Sequence, residues 1–261
     1  MPSRLRHFPV LLLTVAMLLT SACSTVSAPD KHDPWESFNR SVYTFNDGFD
    51  RHIGRPVAQA YRDYTPNTVQ TGVNNFFNNL NDVVVFANDL LQFKFEQAAQ
   101  DFSRLAFNTT VGLLGLIDVS TPMGLPKHNE DFGQTMATWG VGNGPYLVLP
   151  FLGPSTVRDA SGMVADWEVQ PVSSISDNTT RWSLIILYAI DTRASLLEAT
   201  KLMEKSGIDP YVFMRNAYYQ HRESLIYDGN PPKPKIAPPS KSDLELQQEL
   251  DKELQLDTPT K

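Results

Sequence analysis

Apolar residues return every three or four positions through most of residues 33–228, a spacing that puts them on one face of a helix. Phe38, Val42, Phe45 and Phe49 form the first such stripe. Val69, Val73, Phe76, Phe77, Leu80 and Val84 form a second, and Phe102, Leu105, Ala106 and Thr109 a third. A further run, Trp182, Ile185, Ile186, Ala189, Leu196 and Met203, predicts one long helix, and Tyr211, Met214, Tyr218 and Leu225 another. Two of these starts carry an acid followed by proline, Asp33-Pro34-Trp35-Glu36 and Asp209-Pro210, the pattern of an N-cap side chain with proline at the first helical position. Alternation of period two is nearly absent, so the expected fold class is all-α.

Two glycine-rich stretches break the periodicity. In VGLLGLI, Val111 to Ile117, Gly112 and Gly115 would let another segment approach closely. Residues 139–152, WGVGNGPYLVLPFL, carry Gly140, Gly142 and Gly144 and then Pro145 and Pro150, which a regular helix cannot hold. The side chains between them are mostly apolar or aromatic, including Tyr146, Leu149 and Phe151. Two readings stay open for this stretch: a buried connector, or a hairpin whose tip meets lipid or a ligand.

The ends differ from the middle. Arg4 and Arg6, an apolar run from Phe8 to Leu19, and Thr20-Ser21-Ala22 before the only cysteine, Cys23, have the three parts of an export signal. The segment resembles a bacterial lipobox, with Thr20 where leucine is usual; the resemblance implies cleavage after residue 22 and acylation of Cys23. Ser24 at the next position implies sorting to the outer membrane. Residues 23–32 read as a tether and 33–228 as the domain. Residues 229–261 read as a proline-rich linker with a flexible acidic tail, in which Ser242 and Glu245 match a capping box and Leu246, Leu250 and Leu254 form a narrow stripe. Without residues 1–22 the chain holds 20 Lys and Arg against 29 Asp and Glu, a formal charge of −9, which argues against a nucleic-acid partner.

Candidate catalytic chemistry is sparse. His32, His52, His128 and His221 lack metal-ligand spacing, and no nucleophile elbow is present. Gly140, Gly142 and Gly144 lack the spacing and the Lys-Ser/Thr of a phosphate loop. His128-Asn129-Glu130-Asp131 reads either as a cation site or as a polar turn. No cofactor or metal is expected, and no enzymatic activity. Amphipathic helices with an export signal and a lipid anchor suit a body that shields lipid instead. Each exposed methylene costs about 0.8 kcal/mol, so two acyl chains of roughly sixteen carbons face about 25 kcal/mol in water.

Blocks spanning about residues 33–225 resemble the MlaA family, also called VacJ lipoproteins. The opening Asp33-Pro34-Trp35-Glu36-Ser37-Phe38-Asn39-Arg40 is followed by Tyr43 and Phe45-Asn46. Then come Arg55-Pro56-Val57-Ala58, Asn108-Thr109, Phe132-Gly133, Trp139-Gly140-Val141-Gly142 and Gly144-Pro145-Tyr146. Leu149-Pro150, Arg158-Asp159 and Asp209-Pro210-Tyr211 complete the set. The resemblance implies a ring of amphipathic helices around an amphipathic channel, sunk in the inner leaflet of the outer membrane. It further implies removal of mislocalised phospholipids from the outer leaflet, delivery to the periplasmic carrier MlaC, association with a trimeric porin, and preserved lipid asymmetry.

By the same resemblance, residues 140–151 form a hairpin that borders the channel. Asn39, Arg40 and Asn46 either line the pore or form a buried network that holds helices together. Arg158-Asp159 reads as an ion pair or a cap. Arg181, Arg193 and Lys201 read as headgroup ligands or as solvated helix faces. A structural or adhesive envelope lipoprotein without lipid-conducting activity is the second hypothesis.

Overall fold

Helix α1 (Glu36–Phe49) runs through a π-helical segment, Asp50–Gly54, into α2 (Arg55–Tyr64). These elements come from a computed structural model that describes residues 33–205 and 207–232. The export signal, Cys23 and its tether, and the capping box and leucine stripe of the tail lie outside the described residues. Helices α3 (Asn67–Leu91) and α4 (Phe95–Thr110) come next, joined by a three-residue turn and packed on one another. Helix α5 (Phe132–Thr138) then leads to strands β1 (Tyr146–Leu149) and β2 (Gly153–Thr156). Helix α6 (Val157–Val169), a 3-10 turn, α7 (Asn178–Ser195), α8 (Leu197–Lys205) and α9 (Pro210–Ile226) complete the order.

The fold is mostly α, as the periodicity predicts, with one antiparallel hairpin in which Tyr146 faces Thr156 and Leu149 faces Gly153. The run predicted as one helix from Trp182 to Met203 is two, because the chain breaks at Leu196. Asp209 caps α9 as expected, accepting from the Tyr211 N–H. Asp33 does not cap α1: the capping position is Trp35, which offers no side-chain acceptor. The physical reason is competition. Asp33 is fully buried and its carboxylate is claimed by Asn39, Tyr211 and Arg215.

Packing contacts run in a closed circuit. Helix α1 touches the hairpin, the hairpin touches α9, α9 touches α5, and α5 touches α3. Helix α3 touches α7, α7 touches α2, and α2 returns through the π-helical segment to α1. Two joints show how the circuit is held. At one, Ala58, Ala194 and Leu197 pack with Tyr61, whose hydroxyl donates to Asp191 at 3.0 Å. At the other, Arg193 of α7 grips Asp50 with two bonds of 2.6 and 2.9 Å. That ion pair explains Arg193 without a headgroup. Arg181 and Lys201 likewise meet local partners, Asn178 and Glu198.

The VGLLGLI segment is a tight turn after α4. A Cβ on Gly112 would fall 2.1 Å from the Ile117 carbonyl oxygen, so only glycine fits there. At Gly115 the close neighbour is the Asn79 side chain.

Candidate functional site: a polar interior and a clasped hairpin

On α1 and α4 the buried side chains are mainly polar, the reverse of an ordinary water-soluble bundle, whereas α3 buries Phe77, Val84 and Val85 beside its polar residues. On α1, Asn39 is buried whereas Phe38, Phe45 and Phe49 are exposed, Phe45 by 52 %. On α4, Asp101, Arg104 and Asn108 are buried, one turn or two apart, while Phe102 and Phe107 face out. Helix α3 buries Asn79, Asp82, Asn88 and Asp89, and α9 buries Tyr211 and Arg222. Among the described residues, buried polar and charged side chains outnumber buried apolar ones. Burial of that kind is tolerable only when the groups satisfy one another, because an unpaired polar group in the interior costs about 1–3 kcal/mol.

Many do so in linked clusters, whereas both carboxyl oxygens of Asp89 are left without a donor among the described residues. Asp118 of the turn after α4 accepts from Arg104, Asn108 and Thr121; burial raises its pKa, but the Thr121 hydrogen bonds and the Arg104 guanidinium outweigh it and bring the pKa down to about 2. Asn88 donates to Asp166 at 3.0 Å and accepts from Thr135 at 2.7 Å, joining α3, α6 and α5. Arg222 of α9 binds Asp131 and Asp159 together, and Tyr218 donates to Asp159. Burial disfavours the Arg222 charge, yet the two carboxylates hold its pKa above the usual arginine value. Arg158 pairs with Asp159 at 2.9 Å, and Asp159 also receives the Arg222 bond. The predicted ion pair is therefore one edge of a larger junction.

The hairpin is fastened to α1 by two asparagines seven residues apart, hence on one helix face. Asn39 donates to the Tyr146 carbonyl at 3.0 Å and accepts from the Val148 N–H at 2.9 Å. Two turns on, Asn46 donates to the Leu149 carbonyl and accepts from the Phe151 N–H, both at 2.9 Å. Each amide thus completes a strand edge as a neighbouring strand would. The Phe151 ring at the tip meets Phe45 and Phe49 edge-on, at 5.2 and 5.1 Å. Beneath the strand, Tyr146 packs among Tyr211, Tyr218 and Tyr219.

Among the predicted site residues, Asp33, Asn39, Arg40 and Tyr146 come together. Arg40 pairs with Glu36 and Asp209 and lies 4.4 Å over the Tyr211 ring. Asn46, Leu149 and Phe151 meet at the hairpin tip. Pro34 and Phe38 are exposed and touch none of these groups by hydrogen bond. Gly140, Gly142 and Gly144 lie on the exposed approach to β1, and Pro145 accepts from the Val157 N–H. The hairpin proper therefore begins at Tyr146, later than residues 140–151 suggest. Arg158 and Asp159 belong to the separate α9 junction. His128, Glu130 and Asp131 do not converge: they meet Asp101, Lys94 and Arg222 respectively. Arg222 and Asp166 are missed by a scan for apolar stripes, and Tyr218 enters it only as an apolar position; the signal for the junction is polar residues at helical spacing.

No helix among the described residues is long and apolar enough to cross a membrane. Exposed aromatic rings at this density mark a surface that meets a membrane or a protein partner. The chain belongs to the MlaA lipoprotein family, whose profile matches residues 31–225. It is 38 % identical over 240 residues to the intermembrane phospholipid transport system lipoprotein MlaA of Escherichia coli K12, covering 87 % of this chain and 91 % of that one. The protein of the same name from Haemophilus influenzae is 32 % identical over 234 residues, covering 83 % and 89 %. A solved structure described as the structural basis for maintenance of bacterial outer membrane lipid asymmetry matches with a TM-score of 0.67 and 35 % identity. It covers 76 % of this chain and 99 % of that one.

Proposed function

We propose that this protein is a non-enzymatic conduit that takes phospholipid out of the outer leaflet of the outer membrane and passes it towards the periplasm. The observation that carries the reading is the inversion of the amphipathic helices around a closed circuit of contacts. Exposed rings on α1, α4 and α7 match an acyl environment, and the buried polar clusters hold together the closed circuit of elements around which headgroups would pass. The clasped hairpin, with Gly140 and Gly142 on its approach, would border that path. Anchoring through acylated Cys23 would hold the body at the membrane, and a trimeric porin and the soluble carrier MlaC are the proposed partners. The relatives' names, which specify phospholipid transport, support the substrate class.

Native mass spectrometry of the detergent-extracted protein tests this. Bound phospholipid, with bound porin in the same spectra, is the expected result. A lipid-free protein whose loss leaves outer-leaflet phospholipid unchanged would instead favour a structural envelope lipoprotein.

A further inference from the structure

Three tyrosines pack together under strand β1, and one differs from the other two. Tyr211 donates its hydroxyl to Asp33, and Tyr218 donates its own to Asp159. Tyr146 is fully buried against both, with ring centroids 6.2 and 6.0 Å from theirs. Its hydroxyl has no hydrogen-bond partner among the described residues. The carboxylates that serve the other two are already engaged: Asp33 also accepts from Asn39 and Arg215, and Asp159 from Arg158 and Arg222. A buried hydroxyl without a partner forfeits its bond to water, which raises the free energy of whatever state buries it. Phenylalanine would fill the same space without that cost.

The strand that carries Tyr146 is fastened to α1 by side-chain amides, Asn39 at the Tyr146 carbonyl and the Val148 N–H, Asn46 at the Leu149 carbonyl and the Phe151 N–H. Such a clasp can open without breaking a helix, and β1 keeps its partner β2 when it does. Gly144, two residues before Tyr146, sits at φ 68°, a conformation that glycine adopts without strain and from which it turns readily. Lifting β1 from α1 and α9 would bring water to the Tyr146 hydroxyl, so the penalty of burying that group is relieved on opening.

We propose that the buried Tyr146 hydroxyl keeps the hairpin poised to lift: it destabilises the clasped state against an open state in which that hydroxyl meets water, while the Asn39 and Asn46 amides hold the clasp shut. The opening is a property of the hairpin and needs no lipid. Its consequence for transport rests on the reading of the hairpin as the border of the lipid path, where a hairpin held shut too firmly would slow passage.

Amide hydrogen exchange of the full chain in detergent tests it. The Val148 N–H, held by Asn39, reports opening of the hairpin, and the Val85 N–H, in the fully buried stretch of α3, reports opening of the whole domain. In the native chain Val148 should exchange faster than Val85; equal protection would mean that the hairpin opens only when the domain unfolds, which overturns the proposal. Tyr146→Phe keeps the ring and removes the hydroxyl, and it should slow exchange at Val148 about tenfold. Unchanged or faster exchange at Val148 would show that the hydroxyl stabilises the clasp or does nothing, and would overturn it as well. Clearance of outer-leaflet phospholipid by Tyr146→Phe should fall in parallel. Slower exchange with undiminished clearance would uphold the poised hairpin and count instead against the hairpin as the border of the lipid path.

Discussion

Asn46 reaches across the hairpin turn to Phe151, accepting its backbone N–H at 2.9 Å while the other end of the same amide holds the Leu149 carbonyl. Asn46→Ala would leave both backbone groups to solvent at a half-exposed site, so the cost falls near the low end for such bonds, about 1 kcal/mol. The expected outcome is local. Amide exchange at residues 149–152 should speed up about fivefold while the global unfolding midpoint shifts little.

Neighbouring positions on α1 should respond in the reverse of the usual order. Asn39 is fully buried with three bonded partners, whereas Phe38 is about half exposed. Asn39→Leu strands the Tyr146 carbonyl and the Val148 N–H and removes a donor from Asp33, an expected loss of about 3 kcal/mol. Phe38→Ser should change stability by less than about 0.5 kcal/mol in detergent. Chemical denaturation of both variants checks the inversion directly, and a larger loss for Phe38→Ser would refute it.

The two glycines before β1 separate backbone strain from passage. Gly142 has open space around it and an ordinary φ, so Gly142→Val should leave the melting temperature within about 2 °C. Gly140 has φ 89°, so Gly140→Val should cost roughly 1 kcal/mol or more. Slower clearance of outer-leaflet phospholipid in Gly142→Val, at native stability, is the expected sign that this approach moves during transport. Normal clearance would count against gating.

Periodicity locates the helices because the repeat is the same whichever face is buried; it does not tell which face. On α1 the residues Phe38, Phe45 and Phe49 mark a true face, yet the face turned to the hairpin is marked by buried Asn39 and half-buried Asn46. An apolar scan treats Asn79, Asp82 and Asp89 of α3 as the outside, although their spacing is that of an inner stripe. Asp33 departs from its expected role for a related reason. Its sequence neighbourhood is that of a cap, but Tyr211 and Arg215, about 180 residues away, join Asn39 in drawing the carboxylate inward. The hairpin's start at Tyr146 is hidden in the sequence because all four residues of YLVL are apolar, although their burial alternates, with Tyr146 and Val148 buried and Leu147 and Leu149 half-buried.

Asp89 makes the polar interior measurable through pH. It is fully buried, and neither carboxyl oxygen meets an N–H donor. Burial, with the hydrogen-bonding Asp101 carboxyl and the charge of Glu130 beside it, pushes its pKa up to about 8, while Lys94 opposes the shift. The unfolded chain ionises this group near pH 4, so between about pH 4 and 8 the folded state holds one proton more than the unfolded state. Stability at this site therefore falls as pH rises through that window, by at most about 1.4 kcal/mol per pH unit, and levels off above it. Asp89→Asn keeps the shape and the neutral form but cannot titrate. Urea midpoints of the two proteins from pH 5 to 9 should converge at low pH and separate in favour of Asp89→Asn as pH rises, with the separation flattening above about pH 8. Parallel curves across the range would show that Asp89 is already ionised in the fold.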